Sequence, residues 1–368
     1  WLLNASNGFF CLILGPSGTG KSSLVNAGVL PNLLDHNGYD GIGVVSYSHL
    51  DFADINQGRL LLDLASSMLD WDIDDQAVFA GMSADDLVQQ LQGDCQALIT
   101  QCQNALNKAI TPFSKPHFFL FIDRLEVLLS SPLFSDAERS HFLGLIETLA
   151  TSGCIMVFSA CRNAFYPLVV TYPSLMAGKD NGAHFDLLAP TRSELIQMIR
   201  LPAIAANLTW SSNSQTAMSL DELLCNEASN NPDSLPMLQY TLQELYLQRN
   251  ESNELQESVY LSLGGIEGAI GKKAEEIFQQ LPQSQQAELD YVLSLLVTLN
   301  PDGETITSRA ARWSQLKQDS QSAFVQALVD SRLLVSHLQN NEACFSLAHE
   351  ALLRRWPRAS DWISTHKS

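Results

Sequence analysis

The chain has 368 residues, 46% of them hydrophobic, which exceeds what one compact domain of ordinary size holds, so two or three domains are expected. Its 40 acidic against 21 basic side chains leave a formal net charge of −19, the wrong sign for a surface that neutralises phosphates along a duplex, and a nucleic-acid partner is disfavoured. Seven cysteines without a Cys-x-x-Cys pair argue against a disulfide framework and a zinc site, and fit a reducing cytoplasm.

The chain begins at Trp1 with no signal or transit pattern, and is read as a piece of a longer protein. Short apolar runs at Phe9 to Leu14, Ile42 to Tyr47, Phe118 to Ile122, Ile155 to Ala160 and Phe185 to Leu188 alternate with amphipathic stretches. That alternation predicts a parallel sheet with helices on both faces. None of the runs approaches the roughly 20 residues that span a bilayer, so no membrane partner is expected. Between Asp51 and Lys115 lies a polar, acidic region with helical patterns near Leu60 to Leu69 and Leu87 to Leu106, read as inserted helices. After Ala189-Pro190 strand-like runs vanish, and helical patterns fill Ser193 to Tyr246 apart from a polar break at Ser211 to Ser214. Leu235-Pro236 opens a helix with proline in its first turn and an apolar face at Met237, Leu238, Leu242 and Leu245. Gly264-Gly265 punctuates the chain, and further helices follow from Lys272. Leu333 to His337 and Ala343 to Leu347 then read as a hairpin around Gln339-Asn340-Asn341. Helix, helix and hairpin predict a winged helix. The expected domains are an α/β domain over 1–190, a helical domain over 191–271 and a winged-helix domain over 272–368.

Gly15-Pro16-Ser17-Gly18-Thr19-Gly20-Lys21-Ser22 matches G-x-x-x-x-G-K-[ST] in full, between a predicted strand and a predicted helix. In such a P-loop, glycines let backbone N–H groups close around phosphates and the helix start adds partial positive charge. Lys21 reaches the terminal phosphates and Ser22 offers a hydroxyl to Mg2+; Ser23, next in the helix start, is counted with the loop. ATP or ADP with Mg2+ is the expected ligand. Phe118 to Ile122 followed by Asp123 is a Walker B pattern, which makes Asp123 the metal-side carboxylate. Glu126, three residues on, is the candidate to orient or deprotonate the attacking water. Arg162 follows the fourth apolar run and should stand at the C-terminal edge of the sheet, where it could sense the γ-phosphate. His349-Glu350 lies at the hairpin-to-helix junction, where a lone histidine is more often a packing or capping residue than a phosphate ligand.

Taken together, these segments resemble the STAND class of signal-transduction NTPases, and within it the bacterial novel STAND family, with an AAA+/NB-ARC-like nucleotide-binding domain. The likeness is carried by GPSGTGKSSLVNAGVLP from Gly15, FFLFIDRLEVLL from Phe118, SACRNAFYPLVVTYPSL from Ser159 and LLAPTRSELIQMIRLPA from Leu187. LPMLQYTLQELY from Leu235, GGIEGAIGKKAEEIF from Gly264 and LAHEALLRRWPR from Leu347 complete it. The resemblance implies a helical lid and a winged helix that close over ADP, with Pro236 packing on the adenine and His349 touching the ADP phosphate. It also implies flanking effector and sensor domains in the same longer chain, and a homo-oligomer when active. The chain departs from the family in carrying Val127 after Glu126 and Arg124 after Asp123, and in lacking a glycine within Asn231-Pro232-Asp233-Ser234. The first departure predicts slow hydrolysis.

The expected function is therefore a cytoplasmic ATP/ADP-driven switch, closed with ADP, and open and assembly-competent with ATP. The alternatives from the sequence are an AAA+-like nucleic-acid loader and a nucleotide-stabilised scaffold without turnover.

Overall fold

The computed structural model describes residues 8, 10–16, 18–52, 55, 58–131, 133–212, 218–230, 235–299, 306–339 and 342–366. It divides into two compact units, the first of Trp1–Pro16 and Gly20–Leu187 and the second of Ser17–Thr19 and Leu188–Ser368. Ser17, the Asn231–Ser234 segment and the hairpin residues Asn340 and Asn341 lie outside the described residues.

The first unit is built on a five-stranded sheet of β1 (Cys11–Gly15), β2 (Ile42–Asp51), β3 (Lys115–Asp123), β4 (Ile155–Arg162) and β5 (His184–Asp186). Its order is β2-β3-β4-β1-β5 and every pairing is parallel. All of β1 and the Phe118–Asp123 part of β3 are buried, which is why these strands read as unbroken apolar runs. The edge strand β2 alternates instead: Tyr47 and His49 are exposed while Ser48 and Leu50 are buried. Parallel strands in this order leave their C-terminal ends along one edge, where open α/β sheets take their ligands.

The insertion between β2 and β3 holds helices Leu60–Leu69, Ala84–Gln92 and Cys95–Lys108. The helical pattern from Leu87 to Leu106 is thus carried by two helices, since Gly93 leaves helical geometry at φ −103°, ψ −83° while the apolar periodicity continues past it. Trp71 ties the insertion to the sheet by stacking on Phe118 at 4.8 Å and donating its indole N–H to Ser48 Oγ at 3.0 Å.

In the second unit, Thr191 and Glu194 form a capping box at the start of helix Arg192–Ala205. Helices Leu220–Ser229, Leu235–Leu247, Glu257–Leu263, Gly265–Gln280, Leu289–Leu296 and Asp319–Asp330 follow. Strands do not vanish here as expected, for Thr209–Trp210 pairs in parallel with Glu254–Leu255. The predicted hairpin is present, with Leu334–Gln339 antiparallel to Glu342–Leu347 and Ala311–Arg312 added on the free side of the second strand. Helix Gly265–Gln280 runs unbroken across the line expected at 271/272, and one apolar cluster extends from Leu195 to Ile363. A Cβ at Gly271 would lie 2.0 Å from the Arg355 carbonyl oxygen, so this helix and the segment Ala351–Arg355 touch backbone to backbone. Among the described residues no helix is long and apolar enough to cross a membrane.

Candidate functional site

Strand β1 ends at Gly15, directly beside Arg162 at the end of β4. The chain then turns through Gly18 (φ 81°) and Gly20 (φ 90°), left-handed conformations that cost a side chain but not glycine. Helix begins at Lys21, where the Leu24 N–H donates to the Gly20 carbonyl at 2.8 Å. Lys21 Nζ donates to the carbonyl oxygens of Gly15 (2.9 Å) and Pro16 (2.7 Å). Burial lowers the Lys21 amine to about 8 from its usual 10.5; Glu126 opposes that shift and Arg162 adds to it.

Ser22 Oγ donates to Asp123 Oδ2 at 2.5 Å, and the Arg124 backbone N–H donates to Asp123 Oδ1 at 2.9 Å. The buried Asp123 carboxylate is thus held at the helix start by a hydroxyl and an amide. Arg124 takes the left-handed region (φ 55°), and its guanidinium pairs with Asp51 at 3.0 Å. One turn on, Glu126 lies buried in helix Leu125–Ser130. Both its oxygens are engaged by one residue, with Arg162 N–H at 3.2 Å and Arg162 Nε at 3.1 Å. With side chains only 6% and 11% exposed, each charge has lost most of its water, and the pair offsets part of that loss.

Lys21, Ser22, Asp123, Glu126 and Arg162 therefore converge at the C-terminal edge of one sheet, while Ser23 is exposed at the helix start. These residues fit a magnesium nucleotide. A lysine that hydrogen-bonds only the carbonyls of its own loop is available to phosphate oxygens, and the hydroxyl–carboxylate pair offers the hard oxygen donors Mg2+ takes. Pro236 and His349 belong to the second unit. Pro236 is buried in the first turn of Leu235–Leu247. His349 is half-buried in the turn after strand Glu342–Leu347, its carbonyl accepting the Leu352 N–H at 3.1 Å. Sequence reasoning named Glu126 and Arg162 separately but missed that they pair, and it missed Asp51. The parallel register that sets Asp51 against Asp123 is the signal that finds it.

Among solved structures, the chain is similar to the Aeropyrum pernix ORC1 protein in complex with DNA, with a TM-score of 0.50, 14% identity, and coverage of 97% of this chain and 86% of that one. It is also similar to the Aeropyrum pernix ORC2 protein in its ADPNP–ADP complexes (TM-score 0.47, 14% identity, 100% and 89% covered). Domain III of the Thermotoga maritima replication initiation protein DnaA matches at TM-score 0.41, 14% identity, over 72% and 88%. At this identity the first likeness bears on the fold alone, a parallel sheet with helices followed by a helical region. No curated protein sequence matches the chain. The profile described as Novel STAND NTPase 1 matches residues 2–368, and with the P-loop and Walker B geometry in place the chain belongs to that family of nucleotide-binding P-loop NTPases.

Proposed function

We propose that the chain is an ATP/ADP-driven signalling switch of the cytoplasm, closed with ADP and opened by exchange for ATP, with slow hydrolysis returning it to rest. The observation that carries this reading is the Glu126–Arg162 pair beside the P-loop lysine. Lys21 and the loop amides bind the phosphates common to both nucleotides. Ser22 and Asp123 hold Mg2+, whose charge offsets that of the phosphate oxygens. Arg162 keeps Glu126 while only two phosphates are present, and is placed to release it in favour of a third. Glu126, once released, would take the proton of a water whose oxygen bonds to the terminal phosphorus as the bond from that phosphorus to the ADP oxygen breaks. ADP and ATP can bias the protein only through such differential contacts.

The family resemblance adds Pro236 as an adenine contact, His349 as a phosphate contact, and the hairpin with its helices as a winged helix. On this reading flanking domains of a longer chain receive the change, and the active form is a homo-oligomer. The net charge of −19 weighs against a loader of nucleic acid. The test is ADP release and particle size, measured with ADP and with a non-hydrolysable ATP analogue. The switch reading expects a larger or more extended particle with the analogue and faster ADP release in His349→Ala. Identical size with both nucleotides contradicts the switch.

A further inference from the structure

A second group of donor atoms stands beside the phosphate end of the sheet. Strand β2 ends in His49-Leu50-Asp51, and residues two apart in a strand point to one face. The parallel register sets Asp51 against Asp123 and His49 against Phe121. The His49 ring stacks on Phe121 with centroids 5.0 Å apart and planes 19° apart, which fixes the imidazole. One ring nitrogen of His49 and one oxygen each of Asp51 and Asp123 lie within 4.8 Å of one another, the one such group of His, Cys, Asp and Glu among the described residues.

Both carboxylates also have hydrogen-bonding or ion-pair partners of their own. Arg124 engages Asp51 Oδ2 through its guanidinium and Asp123 Oδ1 through its backbone N–H, while Ser22 engages Asp123 Oδ2. Partners of this kind orient metal-binding side chains.

We propose that His49, Asp51 and Asp123 bind a divalent transition-metal ion such as Mn2+. This goes beyond the nucleotide reading, in which Mg2+ is held by Ser22 and Asp123; the two ions share the Asp123 carboxylate, as paired metal sites do. The imidazole sets the selectivity, because Mg2+ and Ca2+ take oxygen ligands whereas Mn2+, Fe2+, Co2+ and Zn2+ accept a nitrogen among carboxylates. Three protein ligands leave positions open for water.

The probe is Mn2+ titrated into the nucleotide-free chain, with free ion read from its paramagnetic resonance signal. The parent should bind one ion per chain and keep it against excess Mg2+. His49 is exposed, so His49→Ala should fold as the parent does, and it should weaken Mn2+ binding by about tenfold or more. Asp51→Asn should do the same. The rise in melting temperature with ADP and Mg2+ should survive in His49→Ala, because His49 touches neither Lys21 nor Ser22. A parent that binds Mn2+ without responding to ADP would keep this site and sink the nucleotide reading. A parent that takes up no Mn2+, or a His49→Ala protein that binds it with parental affinity, overturns the proposal.

Discussion

Arg162→Ala removes the guanidinium from a buried carboxylate and leaves Glu126 with the residue-162 backbone N–H as hydrogen-bond donor and the charge of Lys21 nearby. Breaking a buried ion pair by deleting one partner costs about 3 to 5 kcal/mol, because the other charge stays buried without compensation. The retained N–H at 3.2 Å puts the expected loss at the lower end, about 3 kcal/mol. Glu126→Gln keeps shape and an acceptor for Nε, and should cost about 1 to 2 kcal/mol. The double variant should be more stable than the sum of the two losses predicts, by about 1 to 3 kcal/mol, since it leaves no carboxylate to strand. Urea unfolding of the four proteins supplies the cycle. Losses that add to within about 0.5 kcal/mol would mean that the two side chains do not act as a pair, and the reasoning built on their contact would be wrong.

Burial holds the Lys21 amine near 8, so it should react with an amine-directed reagent with a midpoint around pH 8, and ADP should move that midpoint upward because phosphates favour the ammonium form; a midpoint near 10.5 without nucleotide would contradict the burial. The sign for stability follows from the same depression: the unfolded chain binds the extra proton between about 8 and 10.5, so this lysine's penalty is full below pH 8 and is relieved as pH rises through that window. Asp123→Asn should preserve most ADP binding and weaken its dependence on Mg2+, read by titrating the metal at fixed ADP; unchanged dependence would remove Asp123 from the metal site. Gly271→Ala should destabilise the second unit by about 1 to 3 kcal/mol, because its methyl group meets the Arg355 carbonyl backbone, and parental stability would refute that close approach.

The strands were legible because β1, β3 and β4 are buried on both faces, and the loop from Gly15 to Ser22 because phosphate binding tolerates few residue patterns. What escaped was what the sheet creates by bringing distant segments together. Glu126 and Arg162 are 36 positions apart and meet only because β4 lies next to β3. Asp51 and Asp123 meet only through the register of β2 on β3. The pairing of Thr209–Trp210 with Glu254–Leu255 is too short to leave a periodic signal. The break at Gly93 was hidden for the opposite reason, since Leu87, Leu91, Leu98 and Leu106 keep one apolar face on either side of it.

Nucleotide binding through the P-loop is read most directly from the affinity of a fluorescent ADP with Mg2+ for the parent chain and for Lys21→Ala. Lys21 offers charge-assisted hydrogen bonds worth about 1.5 to 3 kcal/mol, so its loss should weaken binding about 10- to 150-fold. Saturable binding by the parent and a loss of that size are the results expected. Equal affinity in the two proteins would contradict nucleotide binding through this loop.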